Sequence, residues 1–511
     1  TSPYEAVGTG ALRITVDGDI ITAKSATKYY TVTATEEPFS LLFHSQQESW
    51  YQNSGAVSTT DFIFASPPEN DVLEGAFISK YESLDIDKNV TYSSDGEGTV
   101  AWGRVGPIDE TMTNGFALLG AAPQVENGVF NEGHLSVNVR VQGDYAYVAH
   151  YVDGLWIYDI SDPAAITKVA ALPPTDYGIW NDVKLYNSGE SLYALMASNS
   201  EGMVIIDVTD PLDPEKVAVS PSQSSGVHTL AVDGNFAYLA TTDYETGGLA
   251  IVDLTDPRAP VDAGRWYASE AEGSFVHDLY ISEGVAYLCA WDAGLVLVDV
   301  NNPSAPTMMG QARYDRSNTT SHSVWVTESA GRKIAVEGGE GWNTHLRIID
   351  VDPESTEFLD VIGELKLPEQ VSVHNIMGAS ETTALVSWYQ YGVRLVDLAD
   401  PTNPIISGWA NTWSEYDPRN GGSFYEGAVG VDIVQNRVYV ADIWNDLLVY
   451  ELDSGAASPF PPPPEPPPAQ VVVDAQVEQT ADNVDIELVK ITEMTGSASL
   501  TSDGGEWTAL A

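Results

Sequence analysis

Four histidines recur one per repeat through the middle of the chain, in VHTLAV at His228, VHDLYI at His277, SHSVWV at His322 and VHNIMG at His374. Neutral imidazoles gathered at one point suit iron, copper or zinc. A histidine that travels with a repeat serves equally to bond a neighbouring backbone group as part of the repeat's own architecture. Val137, Asn181 and Val429 fill the matching place in the other three copies. The rings are expected to spread apart, each bonding the backbone of its own or an adjacent copy. A second group lies around the following loops, where Tyr151, Trp291, Trp388 and Trp444 stand near Asp153, Asp243, Glu245, Asp292 and Asp446. Aromatic faces beside carboxylates bind glycans, peptides or cations; alternatively, the aromatics wedge into the core. The candidate ligand-binding residues are therefore Tyr151, Trp291, Trp388, Trp444, Asp153 and Asp292. His228, His277, His322 and His374 are the candidate transition-metal ligands. No GxSxG, no HExxH and no Gly-rich phosphate loop occurs, and the Asp-rich loops do not follow the spacing of an EF-hand.

The elements that carry these residues are announced by a recurring phrase: GLWIYDISDP from Gly154, GMVIIDVTDP from Gly202, GLAIVDLTDP from Gly248, GLVLVDVNNP from Gly294 and GVRLVDLADP from Gly392. Its acid falls at Asp159, Asp207, Asp253, Asp299, Asp350 and Asp397, at intervals of 48, 46, 46, 51 and 47 residues, with Glu451 54 residues further on. Seven copies, with strand-like patterning and no helical periodicity, predict an all-β, seven-bladed β-propeller of four-stranded blades. In the copy from Val276 to Arg313, strand a reads VHDLYI, b VAYLCAW, c LVLVDV and d TMMGQA. Strand c is apolar at alternate and intervening positions alike, as expected where neighbouring sheets cover both of its faces. Its closing aspartate sits before a Pro-containing turn, where a carboxylate bonds the local backbone, so a structural role is expected for it.

IVDLTDP at 251–257 and LVDLADP at 395–401 resemble the LVIVD repeat family of bacterial and archaeal surface proteins, over roughly residues 134–452. The resemblance implies an extracellular or cell-surface β-propeller and no defined chemistry.

Strand d ends in glycine at Gly264, Gly310, Gly363 and Gly408, but after the seventh copy the chain runs into ELDSGAASPFPPPPEPPP, and proline cannot donate to a ladder. An orphan of the right type, FALLG at 116–120, is predicted to supply the missing strand from the N-terminal side. The expected organisation is a β-rich N-terminal domain over 1–112, a propeller over 113–454, a polyproline spacer over 455–468 and a β-rich tail over 469–511. The tail is too short to fold alone and is expected to dock on the N-terminal domain or on a neighbouring molecule.

Composition narrows the function. With 22 basic and 74 acidic residues the formal charge is −52, a field that repels phosphate backbones and so excludes nucleic acid as a partner. The excess of carboxylates suits a saline or extracellular setting and offers oxygen ligands to calcium. A single cysteine, Cys289, excludes an internal disulfide framework. No apolar run is long enough to span a membrane, and the opening TSPYEAV lacks the layout of a signal peptide, as expected of a mature exported form. These features point to a secreted or cell-surface binding and assembly module. Its partner is expected to be a protein or a glycan, with self-association through the N-terminal domain and tail. The alternative is a metal-dependent oxidoreductase centred on the four histidines.

Overall fold

The computed structural model describes residues 113–122, 135–175, 178–221, 226–242, 247–273, 275–312, 314, 320–341, 344–366, 372–413 and 425–452, and beyond them the course of strands within 13–103, 125–130 and 470–509. Asp243, Glu245 and the spacer 455–468 lie outside the described residues. The chain divides into two compact units, one of residues 110–414 and 424–462, the other of 1–109, 415–423 and 463–511.

The first unit is a ring of seven four-stranded antiparallel blades. From inside outward, strands a to d of blade 1 are Ser136–Gln142, Tyr145–His150, Gly154–Asp159 and Thr167–Leu172. Blade 2 has Trp180–Ser188, Ser191–Ser198, Gly202–Asp207 and Glu215–Val219. Blade 3 has Val227–Asp233, Phe236–Thr241, Gly248–Asp253 and Val261–Tyr267. Blade 4 has Asp278–Ser282, Val285–Cys289, Leu295–Asp299 and Thr307–Gln311. Blade 5 has Ser323–Ser329, Arg332–Gly338, Leu346–Asp350 and Val361–Leu365. Blade 6 has Ile376–Ser380, Thr383–Ser387, Val393–Asp397 and Ile405–Ala410. In blade 7, Ala428–Val434, Arg437–Asp442 and Asp446–Leu452 are joined by Phe116–Ala121, which pairs with strand c as Val449↔Gly120 and Leu452↔Phe116. Thr113–Asn114, just before it, adds a short fifth strand to blade 6.

Apolar packing between blades explains strand c. One cluster joins Leu249 and Ile251 of blade 3 to Leu288, Val296 and Val298 of blade 4, and another joins Leu297 of blade 4 to Val324 and Ile349 of blade 5. Successive residues of one strand thus serve the cores on its two sides. The aspartate that ends the strand turns the chain. Asp159, Asp207, Asp253 and Asp299 accept the backbone N–H two residues on, at 2.9, 3.0, 2.8 and 2.9 Å. Asp162, Asp210, Asp256 and Asp400 repeat the bond within the turn, each at 3.0 Å. The glycine of strand d is fixed by the next blade: a Cβ on Gly264 would lie 1.8 Å from the carbonyl oxygen of Pro303, and one on Gly363 2.2 Å from that of Pro401. Gly120 meets Pro163 of blade 1 at 1.8 Å in the same way, so the lock repeats where the two ends of the ring join.

In the second unit the strands form one sheet, in which Tyr29–Thr35 is followed in turn by Ser40–Tyr51, Ser54–Phe64, Val72–Leu84 and Val90–Gly103. On its other side Tyr29–Thr35 meets the C-terminal strand Asn483–Thr495 through Ala34↔Ile486.

Candidate functional site

Strand a of all seven blades lines a central cavity of about 680 Å³. The histidine position stands at the head of this strand, off its regular alternation. In blades 1, 2, 3 and 7 the pairing with strand b skips Val137, Asn181, His228 and Val429. A bulge of this kind re-aims one side chain. In blades 4 to 6 the histidine precedes the ladder and is tied to it by its own N–H: His277 to Cys289 O at 2.8 Å, His322 to Gly338 O at 2.9 Å and His374 to Ser387 O at 2.9 Å.

The rings do not spread apart. Those of His228 and His277 lie 4.0 Å apart between centroids, His277 and His322 4.2 Å, and His322 and His374 4.5 Å. One turned-out side chain per blade, on strands packed side by side around a narrow axis, leaves no room for separation. Backbone bonding holds for two of them: His322 Nδ1 donates to His374 O at 3.1 Å and His374 Nδ1 to Val429 O at 2.8 Å. His228 Nδ1 instead receives the Asn181 side-chain amide at 3.1 Å. His277 Nδ1 makes no hydrogen bond of normal geometry. Burial pushes all four below the ordinary imidazole range, His322 and His374 to about 3, with the neighbouring rings reinforcing the shift at His277, His322 and His374. The arc is therefore uncharged at neutral pH.

Glu340 closes the arc from the b–c loop of blade 5. Its Oε2 lies 3.8 Å from His322 Nε2, and its Oε1 accepts the Tyr389 hydroxyl at 2.6 Å. Its charge raises Tyr151, Tyr389 and Tyr425, in each case after burial as the larger cause. Donor atoms of His277, His322 and Glu340 all lie within 4.8 Å of one another. Around them stand Trp291, 4.8 Å from the His277 ring and stacked at 5.6 Å on Phe275, and Tyr389, 4.6 Å from the His374 ring.

Tyr151 and Trp291 are thus at the mouth with the histidines. Asp153 and Asp292 belong to the same loops, Asp153 half-buried and Asp292 exposed, while Trp444 is half-buried in a loop whose N–H groups bond Asp442. Trp388 is fully buried, and its neighbour Tyr389 faces the site. Asp446, expected among the loop carboxylates, is 8% exposed; it accepts the hydroxyls of Ser136 at 2.6 Å and Tyr158 at 2.5 Å, and His150 lies 3.3 Å away. Glu340, Tyr389 and Phe275 were not singled out from the sequence, yet a signal existed for two of them. Between strands b and c, the pairs Ala149↔Leu155, Cys289↔Leu295, Gly338↔Leu346 and Ser387↔Val393 are equivalent. Two residues further on stand Tyr151, Trp291, Glu340 and Tyr389.

Deeper in the channel the next residues of strand a form a charged layer. Asp182 accepts Asn138 and Lys184 and the N–H of Leu230, and Arg140 donates to Val431 O at 3.0 Å. Asp278 is pushed up to about 6, burial outweighing the nearby Lys184 charge.

Ring, blade count and axial site define a seven-bladed β-propeller. Within it the chain carries LVIVD repeats, whose family model matches residues 135–171, 226–267 and 274–314. No curated protein sequence matches the chain. Solved structures similar to it include the WD40 β-propeller domain of Doa1, at 10% identity and a TM-score of 0.48 over 67% of this chain and 99% of that one. BamB from Moraxella catarrhalis is similar at 14% identity and a TM-score of 0.38 over 64% and 85%, and YCF48 bound to D1 peptide at 8% and 0.43 over 68% and 100%.

Proposed function

We propose that the chain is an extracellular or surface-displayed propeller that binds a protein partner at the histidine mouth of its channel and serves as an assembly module. The observation that carries this reading is the contrast between the two ends of the ring. At one end the c–d turns repeat a single device, aspartate on local backbone followed by proline, from blade to blade. At the other, one b–c loop position presents Tyr151, Asn199, Thr242, Trp291, Glu340, Tyr389 and Ile443 in turn. Loops freed from a common structural task are where recognition is placed on a rigid scaffold. Half-buried aromatics around a carboxylate also supply anchors of the kind that dominate protein interfaces. The formal charge of −52 supports display in a saline, screened environment.

A photo-crosslinking residue placed at Tyr425, which is 51% exposed beside Tyr389, should capture a partner in intact cells of the source organism. One at Asn302, on the c–d turn side, should not. Equal capture at Asn302, or none at Tyr425, would remove the mouth as the binding face, and recovery of the protein only from the cytoplasmic fraction would remove the extracellular placement.

A further inference from the structure

We infer that the mouth is a metal site, in which His322 Nε2, a ring nitrogen of His277 and the Glu340 carboxylate hold one divalent first-row transition ion with its remaining positions open to the channel entrance. This rests on the mouth being the working face and names what the face contains. Two observations converge on it. The three donor atoms lie within 4.8 Å of one another, with His322 Nε2 and Glu340 Oε2 at 3.8 Å; two ligands of a tetrahedral site built at ordinary zinc distances are about 3.3 Å apart, so small side-chain movements complete the geometry. His322 Nε2 is buried without a hydrogen-bond partner. A polar atom in that condition costs free energy unless something occupies it.

The surrounding bonds then fix which nitrogen is offered. His322 donates from Nδ1 to the His374 carbonyl, which leaves the lone pair of the neutral ring on Nε2, the arrangement that orients metal-bound histidines. Tyr389 anchors one oxygen of Glu340 and leaves the other directed at His322. His374 repeats the Nδ1 pattern on Val429 O and stands next along the arc, outside the three donors that meet. His228 does not: the Asn181 amide donates to its Nδ1, which puts the proton on Nε2. Two imidazoles and a carboxylate select a transition ion over calcium or magnesium, which take all-oxygen sites. The buried thiol of Cys289 is not among the donors that meet there.

The test uses the full chain stripped with a chelator and then titrated with zinc or cobalt, with excess calcium present to occupy surface carboxylates. One equivalent of zinc should bind, and cobalt should give the visible absorption of a four- or five-coordinate nitrogen–oxygen site. His322→Ala and the isosteric Glu340→Gln should each weaken binding at least tenfold, whereas His228→Gln should leave it unchanged. Should the His322 variant fail to fold, the Glu340 variant and cadmium NMR of the unaltered chain, which reports directly on nitrogen ligation, decide the matter. Absence of a stoichiometric site, indifference to Glu340→Gln, or equal loss in His228→Gln would overturn the proposal. Crosslinking at Tyr425 that persists in a chain shown to bind no metal would leave the binding reading standing without it.

Discussion

At the scale of single residues the mouth couples stability to pH. His228, His277, His322 and His374 all sit below their ordinary range, facing one another, the Glu340 carboxylate and, at His228, the Asp182 carboxylate as well. As pH falls below about 6.5 the unfolded chain takes up protons that the folded rings refuse, at His322 and His374 until about pH 3, so stability is lost as acid is added. Asp278 acts in the opposite sense: raised to about 6, it binds a proton in the fold before it does in the unfolded chain, so between pH 6 and about 4 it favours the fold as acid is added. Asp432, also raised by burial, acts with Asp278, but the four histidines, joined by the buried carboxylates of Asp182 and Asp446 that are held below their ordinary range, outweigh the two and make the protein acid-sensitive. Urea unfolding at pH 7 and pH 5 should therefore show lower stability at pH 5, a difference that His374→Asn reduces and Asp278→Asn enlarges. An unchanged difference in His374→Asn would show that its ring is not held neutral.

At the scale of elements, the interval between strands is set by turn chemistry and the contact between blades by missing side chains. The lock of a strand-d glycine against the proline carbonyl of the next blade predicts that Gly264→Val costs about 2 to 4 kcal/mol, because Cβ would meet main chain that cannot move aside. Asp253→Asn, which keeps the acceptor for the Thr255 N–H, should cost under about 1 kcal/mol. Thermal melts of the two variants test the ordering; similar losses would mean that the glycine is not an interlock. Both devices were visible in the sequence as a repeated DP and a glycine after short apolar residues. The partner of each glycine was not, since it lies in the neighbouring blade.

At the scale of the whole molecule, closure draws on both ends of the propeller segment. Blade 7 takes its outer strand from Phe116–Ala121, Gly120 packs on Pro163, and Asp446 spans from blade 7 to Ser136, His150 and Tyr158 of blade 1. Asp446 occupies, at φ 60°, the place that Gly154, Gly202, Gly294 and Gly392 hold in other blades. Asp446→Gly therefore keeps the backbone and removes only the carboxylate. It should lower stability by about 2 to 4 kcal/mol, as expected for a buried hydrogen-bonded charge. Deleting residues 113–121 should go further and promote aggregation through the open edge of blade 7, read by light scattering. A monodisperse product with an unaltered melt would argue against closure by this strand.

Local order is what the sequence determined. Strand period, turn residues and the spacing of Asp159 to Asp397 depend on neighbours along the chain, and they suffice for seven blades of four strands and for the orphan FALLG. That each histidine stands at the head of strand a follows from the same repeat. The meeting of those histidines was decided by tertiary structure, because it depends on the width of the ring and on strand heads where a bulge, at His228, or an unpaired start, at His277, His322 and His374, turns one side chain out of the packed faces. Glu340 shows the limit most plainly. Gly-Gly-Glu-Gly in a long loop carries no mark of a site beyond its register with Tyr151 and Trp291, and only the closing of blade 5 against its neighbours brings that carboxylate to His322. Trp388 and Tyr389 differ by one position, and the positive φ of 39° at Tyr389, imposed where its carbonyl bonds Ala428 of the next blade, turns the second toward the mouth and leaves the first in the interior.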